Sequence, residues 1–128
     1  MRARVVVLSF LLVGLLVLHH GALAAEQKLK LHPGERTTVE LQENPSTGYK
    51  WQIDRAGSSN LTIIRIDDGG FAENGRANGR RLLGAPGSHR WTIEALSTGD
   101  ARISFVYLRP WERTPISRHE VVVQIVPR

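Results

Sequence analysis

The chain has 128 residues, 17 of them basic and 12 acidic, with three tryptophans and no cysteine. That length holds one domain and little more, and the missing cysteine removes thiol nucleophiles, disulfide exchange and thiolate metal sites together. Nearly all the basic residues are arginine, and the formal charge of +5 is mild, a modest value that argues against a nucleic-acid-binding footprint.

Arg2 and Arg4 precede a nearly unbroken apolar run from Val5 to Leu18, and Ala22-Leu23-Ala24 follows with small residues at the two positions a signal peptidase reads. Residues 1–24 are therefore expected to be a cleaved signal peptide, with cutting before Ala25. The apolar run falls short of the roughly 20 residues a spanning helix needs, so no membrane association is expected after cleavage. No cysteine follows it, which excludes a lipid-modified bacterial lipoprotein. The product would be exported, either periplasmic or secreted. Loss of Arg2 and Arg4 leaves 15 basic against 12 acidic residues, a formal +3, on a single domain spanning 25–128.

From there apolar and polar residues alternate, the period of half-buried strands. Lys28-Leu29-Lys30-Leu31 opens the pattern, and His32-Pro33-Gly34-Glu35 is a turn. Thr37 to Leu41 is a second strand. Tyr49 to Asp54 is a third, with Tyr49, Trp51 and Ile53 on one face. After a turn over Ala56–Asn60, Leu61 to Asp67 is a fourth, whose run Thr62-Ile63-Ile64 suits a pleated surface. Asp68 to Gly87, rich in Gly, Asn and Arg, breaks the alternation and is expected to be a long loop. Arg90 to Ala95 is a fifth strand with Trp91 and Ile93 inward. Leu96–Asp100 turns the chain into a sixth, Ala101 to Leu108, with Ile103, Phe105 and Tyr107 on one face. Ser117 to Val126 is the last. Seven strands with turn signals every eight to twelve residues predict an all-β chain: an immunoglobulin-like sandwich with Greek-key connections. A small closed barrel is the alternative.

Catalytic constellations are weak. No Gly-x-Ser-x-Gly elbow is present, and Ser46, His89 and His119 are far apart in sequence. Nucleophile, base and oxyanion donors do not assemble into a set, so the chain is not expected to be an enzyme. His32, His89 and His119 are scattered, and Asp67, Asp68 and Asn74 do not have the spacing of a calcium loop. No metal or other cofactor is expected, nor a nucleic-acid partner, and the chain is expected to be a monomer.

Three loops stand out: Asn44-Pro45-Ser46-Thr47-Gly48-Tyr49 after the second strand, Gly84-Ala85-Pro86-Gly87 after the fourth, and Arg109-Pro110-Trp111 after the sixth. If each strand crosses the sandwich once, these three connections share one end. Singly, each is ordinary turn chemistry. Together they form an aromatic-tipped edge suited to binding.

In this order and spacing the loops resemble the chagasin family of cysteine-peptidase inhibitors, over essentially the whole chain from Ala25. The first loop is similar to the family's Asn-Pro-x-Thr-Gly-aromatic motif at every fixed position, and Trp51 resembles its usual aromatic core position. Arg109-Pro110-Trp111, preceded by Tyr107, resembles its Arg-Pro-Trp motif. The second loop departs from Gly-x-Gly-Gly, because Pro86 stands where the family has its second glycine. The resemblance implies reversible, non-covalent inhibition of papain-like cysteine peptidases. Thr47 and its neighbours would lie at the peptidase's active-site cysteine, Trp111 against an aromatic wall of the cleft, and Gly84–Gly87 along the opposite side. The other reading is a different class: an exported binding module for a glycan or an assembly partner, using the same loop edge with Trp111 and Tyr49 stacked on sugar rings.

Overall fold

The computed structural model describes residues 23–73 and 86–128, which form seven strands. These are β1 (Leu23–Leu31), β2 (Arg36–Glu43), β3 (Lys50–Ile53), β4 (Ile64–Glu73), β5 (Gly87–Ala95), β6 (Gly99–Leu108) and β7 (Ser117–Ile125). They lie in two sheets, ordered β1-β7-β6-β3 and β2-β5-β4. Every pairing is antiparallel except that of β1 with β7, which is parallel. Consecutive strands change sheet at β1–β2, β2–β3, β3–β4 and β5–β6. That crossing pattern makes the molecule a sandwich rather than a closed barrel.

The alternation explains the core. Val39 and Leu41 of β2, Trp91 and Ile93 of β5, Ile103 and Phe105 of β6, and Val121 and Val123 of β7 all point between the sheets and are buried. Trp91 packs across to Phe105 with ring centroids 4.6 Å apart. The tryptophan at the centre is therefore Trp91, only 2% exposed. Trp51, on the inward face of the short edge strand β3, is half-buried. It stacks on Tyr107 at 4.8 Å, and its indole N–H donates to Gln42 O at 2.8 Å. It caps the core at the loop end rather than filling it.

Two segments differ from the sequence expectation. Leu61–Ile63 is a 3-10 turn, not strand. Asn60 enters it with φ +55°, and Ile63 O accepts from Leu96 N and Ser97 N, which anchors the crossover between sheets. Asp68–Glu73, expected as the start of the long loop, continues β4. The Gly69-Gly70 pair is a β-bulge: the register against β5 shifts between Asp68 and Gly70, Gly70 has φ +75°, and Asp68 Oδ1 accepts from Gly70 N at 2.8 Å. A bulge bends a strand without ending it. Beyond it Phe71 lies over Gly87, where a Cβ would stand 2.2 Å from Ala72 O and 2.6 Å from the Phe71 ring, so only glycine fits. The rest of that expected loop, residues 74–85, lies outside the described residues, as do residues 1–22 of the expected signal peptide. β1 begins at Leu23, paired with Ser117, so the expected cleavage point before Ala25 falls within its first turns of pleat.

Candidate functional site

The first loop is a small rigid body because its own side chains complete its hydrogen bonding. Pro45 to Thr47 form a 3-10 turn capped by Asn44, which is extended at φ −121°, as a residue before proline should be. Asn44 Oδ1 accepts from Ser46 N at 3.2 Å and from Ser46 Oγ at 2.6 Å. Thr47 Oγ1 donates to Asn44 O at 2.7 Å and accepts from Tyr49 N at 3.3 Å. Gly48 closes the turn at φ +80°, a conformation that glycine adopts without strain. The tip residues Pro45, Ser46 and Thr47 are exposed.

The third loop is fastened to the first by Arg109. Its Nε–H donates to Thr47 O at 3.0 Å, and its guanidinium lies 4.4 Å from the Tyr49 ring centroid and 5.8 Å from that of Trp111. Glu112 Oε1, at 3.4 Å, neutralises the cation from the far side. A planar, delocalised cation is well suited to stacking and hydrogen bonding at once. Trp111 itself is 72% exposed, and a Cβ on Gly48 would approach its ring edge to 3.2 Å. Glycine at that position thus serves both the turn and the seat of the tryptophan. Tyr107 ties the same edge to the sandwich: its hydroxyl accepts from Asn44 N at 3.2 Å, and its ring packs on Tyr49 at 5.3 Å.

Of the expected second-loop residues, Pro86 and Gly87 are described, whereas Gly84 and Ala85 lie outside the described residues. Pro86 lines a recess of about 220 Å³ with Gln42, Glu43, Asn44 and Tyr107, which puts the end of the second loop beside the start of the first. The ends of β2, β4 and β6 therefore converge, and the first, second and third loops leave from one edge. Tyr49 is not an open stacking platform, since Arg109 covers one side of its ring and Tyr107 packs against it.

Beneath this edge is a polar cluster that strand alternation alone does not flag. Glu43 is 4% exposed, and its Oε2 accepts from Trp51 N at 3.0 Å and lies 3.1 Å from His89 Nδ1. His89 Nε2 lies 2.5 Å from Asp68 Oδ1, and the imidazole stacks on Trp91 at 4.0 Å with the rings nearly parallel. Burial works to raise the Asp68 pKa, but hydrogen bonds from His89 and Gly70 N and the charge of His89 together outweigh it and leave the carboxyl below its usual range. In the sequence His89 stands out only as one of three scattered histidines. The available signal was its parity with Trp91 and Ile93, and that of Glu43 with Val39 and Leu41, which aims both inward.

Among the described residues no group of three or more histidine, cysteine, aspartate or glutamate side chains is placed to hold a metal. The edge is prefolded: its loops are cross-braced and an exposed aromatic stands at its tip. A family model described as Chagasin family peptidase inhibitor I42 matches residues 30–125, so the chain belongs to the chagasin family of peptidase inhibitors and is not an enzyme. It is 26% identical to chagasin of Trypanosoma cruzi over 95 residues, 73% of this chain and 77% of that one. In fold it is similar to a cysteine protease inhibitor of Entamoeba histolytica, EhICP2, with TM-score 0.60 and 24% identity over 83% of this chain and 100% of that one. It is likewise similar to PbICP-C, solved in complex with falcipain-2, with TM-score 0.58 and 19% identity over 84% and 92% of the two chains.

Proposed function

We propose that this chain is a reversible, non-covalent inhibitor of papain-like cysteine peptidases, and that the three loops at one end of the sandwich fill the peptidase's active-site cleft. Membership of an inhibitor family and the likeness to PbICP-C, whose structure holds falcipain-2, support the class of target. The observation that carries the loop assignment is Arg109: bonded to Thr47 O and stacked between Tyr49 and Trp111, it makes the first and third loops one body. The contact residues are Asn44, Pro45, Ser46, Thr47, Gly48 and Tyr49, then Gly84, Ala85, Pro86 and Gly87, then Arg109, Pro110 and Trp111.

A cysteine peptidase takes its substrate as an extended chain and attacks a carbonyl held in line. The 3-10 turn at Pro45–Thr47, closed by Gly48 in a left-handed conformation, is not extended. A carbonyl in it meets the cleft without attack geometry, so the loop is bound but not cut. Because the turn is already closed by its own hydrogen bonds, little ordering remains for the moment of binding, which favours affinity. Trp111 supplies the large aromatic anchor typical of interface hot spots. A protease–inhibitor contact buries about 1,600 Å² in total, and three loops at the end of a small sandwich can supply half of it.

Export rests on Arg2, Arg4, the apolar run and Ala22-Leu23-Ala24; we place the working protein in a periplasm or outside the cell. N-terminal sequencing of exported material should begin at Ala25, and an intact Met1 there would reject the processing. Titration of papain with the purified domain tests the function. Inhibition at or below micromolar concentration, about −8 kcal/mol of binding or better, is expected. Undiminished hydrolysis at that concentration would favour a binding module with a different ligand.

A further inference from the structure

Glu43 and His89 belong to none of the three loops, yet they join the bases of two of them. Glu43 is the residue before Asn44, and its carboxylate accepts from Trp51 N, two residues past Tyr49. It thus closes the first loop at its root as a clasp would. Its other bond goes to His89, two residues past Gly87, where the second loop ends. Asp68, at the bulge in β4, holds the opposite ring nitrogen. We propose that Glu43 and His89 are positioning residues for inhibition: they set the first loop against the second, and they do so best while His89 is protonated. This rests on the reading of the edge as the peptidase-binding surface.

The chemistry follows from the donor count. A carboxylate only accepts, and a neutral imidazole has one N–H. His89 has a carboxylate at each nitrogen, so both contacts are made as hydrogen bonds only by the imidazolium. Loss of its proton frees one of them and leaves Glu43, nearly buried, without a counter-charge. The groups that face this ring are Glu43 from β2 and Asp68 from β4, with Trp91 stacked on its flat side from β5. Tyr107 from β6 lines the recess that holds Glu43 and Pro86. With the clasp relaxed, the first loop keeps its internal turn but not its fixed angle to Pro86, and the peptidase must supply the ordering.

The experiment compares the intact domain with His89→Gln, which can still donate to Glu43 but cannot titrate, and with Glu43→Gln, which keeps the shape and loses the charge. Amide hydrogen exchange is read in the free proteins, and papain inhibition is measured for all three at each pH, so that the peptidase's own titration cancels in the ratio. Exchange at Trp51, whose N–H is held by Glu43, should rise severalfold in the wild type as the pH is raised, after correction for intrinsic rates, while that of Ser46–Gly48, whose bonds lie within the turn, and of β6 and β7 stays constant. His89→Gln should show no such pH dependence. Glu43→Gln should raise exchange at Trp51 and weaken inhibition by about 10-fold, the size of one hydrogen bond, and its melting temperature separates this from loss of fold. Trp51 exchange in the wild type that does not change with pH, or a His89→Gln variant that retains the wild-type pH dependence, would overturn the proposal. A wild type that fails to inhibit papain would reject the peptidase reading instead, and the exchange data would still decide the clasp.

Discussion

At the scale of single residues, the three tryptophans have separable roles that their positions dictate. Trp111 is exposed at a loop tip beside Gly48 and Arg109, so Trp111→Ala should leave thermal melting unchanged. It should weaken inhibition by about 2–4 kcal/mol, roughly 30- to 1,000-fold, as hot-spot truncations do. Inhibition within about threefold of wild type would remove Trp111 from the interface. Trp91 lies between the sheets against Phe105, and Trp91→Ala should cost about 3–5 kcal/mol of stability, with inhibition lost only as the fold is lost. Trp51 falls between them: half-buried, stacked on Tyr107 and bonded to Gln42 O. Its replacement by Ala should cost less stability than that of Trp91 in a denaturant titration. Equal costs would mean that Trp51 is as central to the core as the alternation of β3 suggests.

At the scale of elements, much of the architecture was legible and the departures have local causes. Period-2 alternation located all seven strands, because each buries one face and leaves the other to solvent. It missed the continuation of β4 past Asp68, because Gly69-Gly70 has the composition of a turn, and the bulge is recognisable only from the shifted pairing with β5. It read Leu61–Ile63 as strand because β-branched residues suit strands, whereas the crossover to β4 and the capture of Ile63 O require a turn. The first and third loops were legible from their motifs. The brace between them was not, since nothing in the spacing of Thr47 and Arg109 says that one bonds the other. The strands also carry a pH response. Burial holds the His119 pKa on β7 below its usual value of 6.5, so the unfolded chain takes up that proton more readily. Stability is then unaffected above pH 6.5 and falls as pH drops below it. Asp68, held below 3.8, contributes stability that is present above that value and is lost as pH falls through its folded pKa. A melting series should decline in these two stages, and His119→Gln, which can still bond Gln27, should remove the upper one. An unchanged upper stage in that variant would assign it elsewhere.

At the scale of the whole molecule, the sandwich is a holder. Its two sheets bring the ends of β2, β4 and β6 to one edge, the core makes that edge stiff, and Arg109 with Tyr107 fixes loops that are far apart in sequence. On the proposed reading the inhibitor blocks by shape and needs the cleft but not the reactivity of the thiol. Calorimetric titration of papain whose active-site cysteine carries a single methyl group tests this most directly. The account predicts binding close to that of the native enzyme, a sharp loss when the adduct is bulky enough to fill the space for Ser46-Thr47-Gly48, and an inhibitor recovered uncut. Abolished binding to the methylated enzyme, or a covalent adduct or rapid cleavage between Asn44 and Tyr49 with the native one, would contradict it and show that the loop behaves as a substrate.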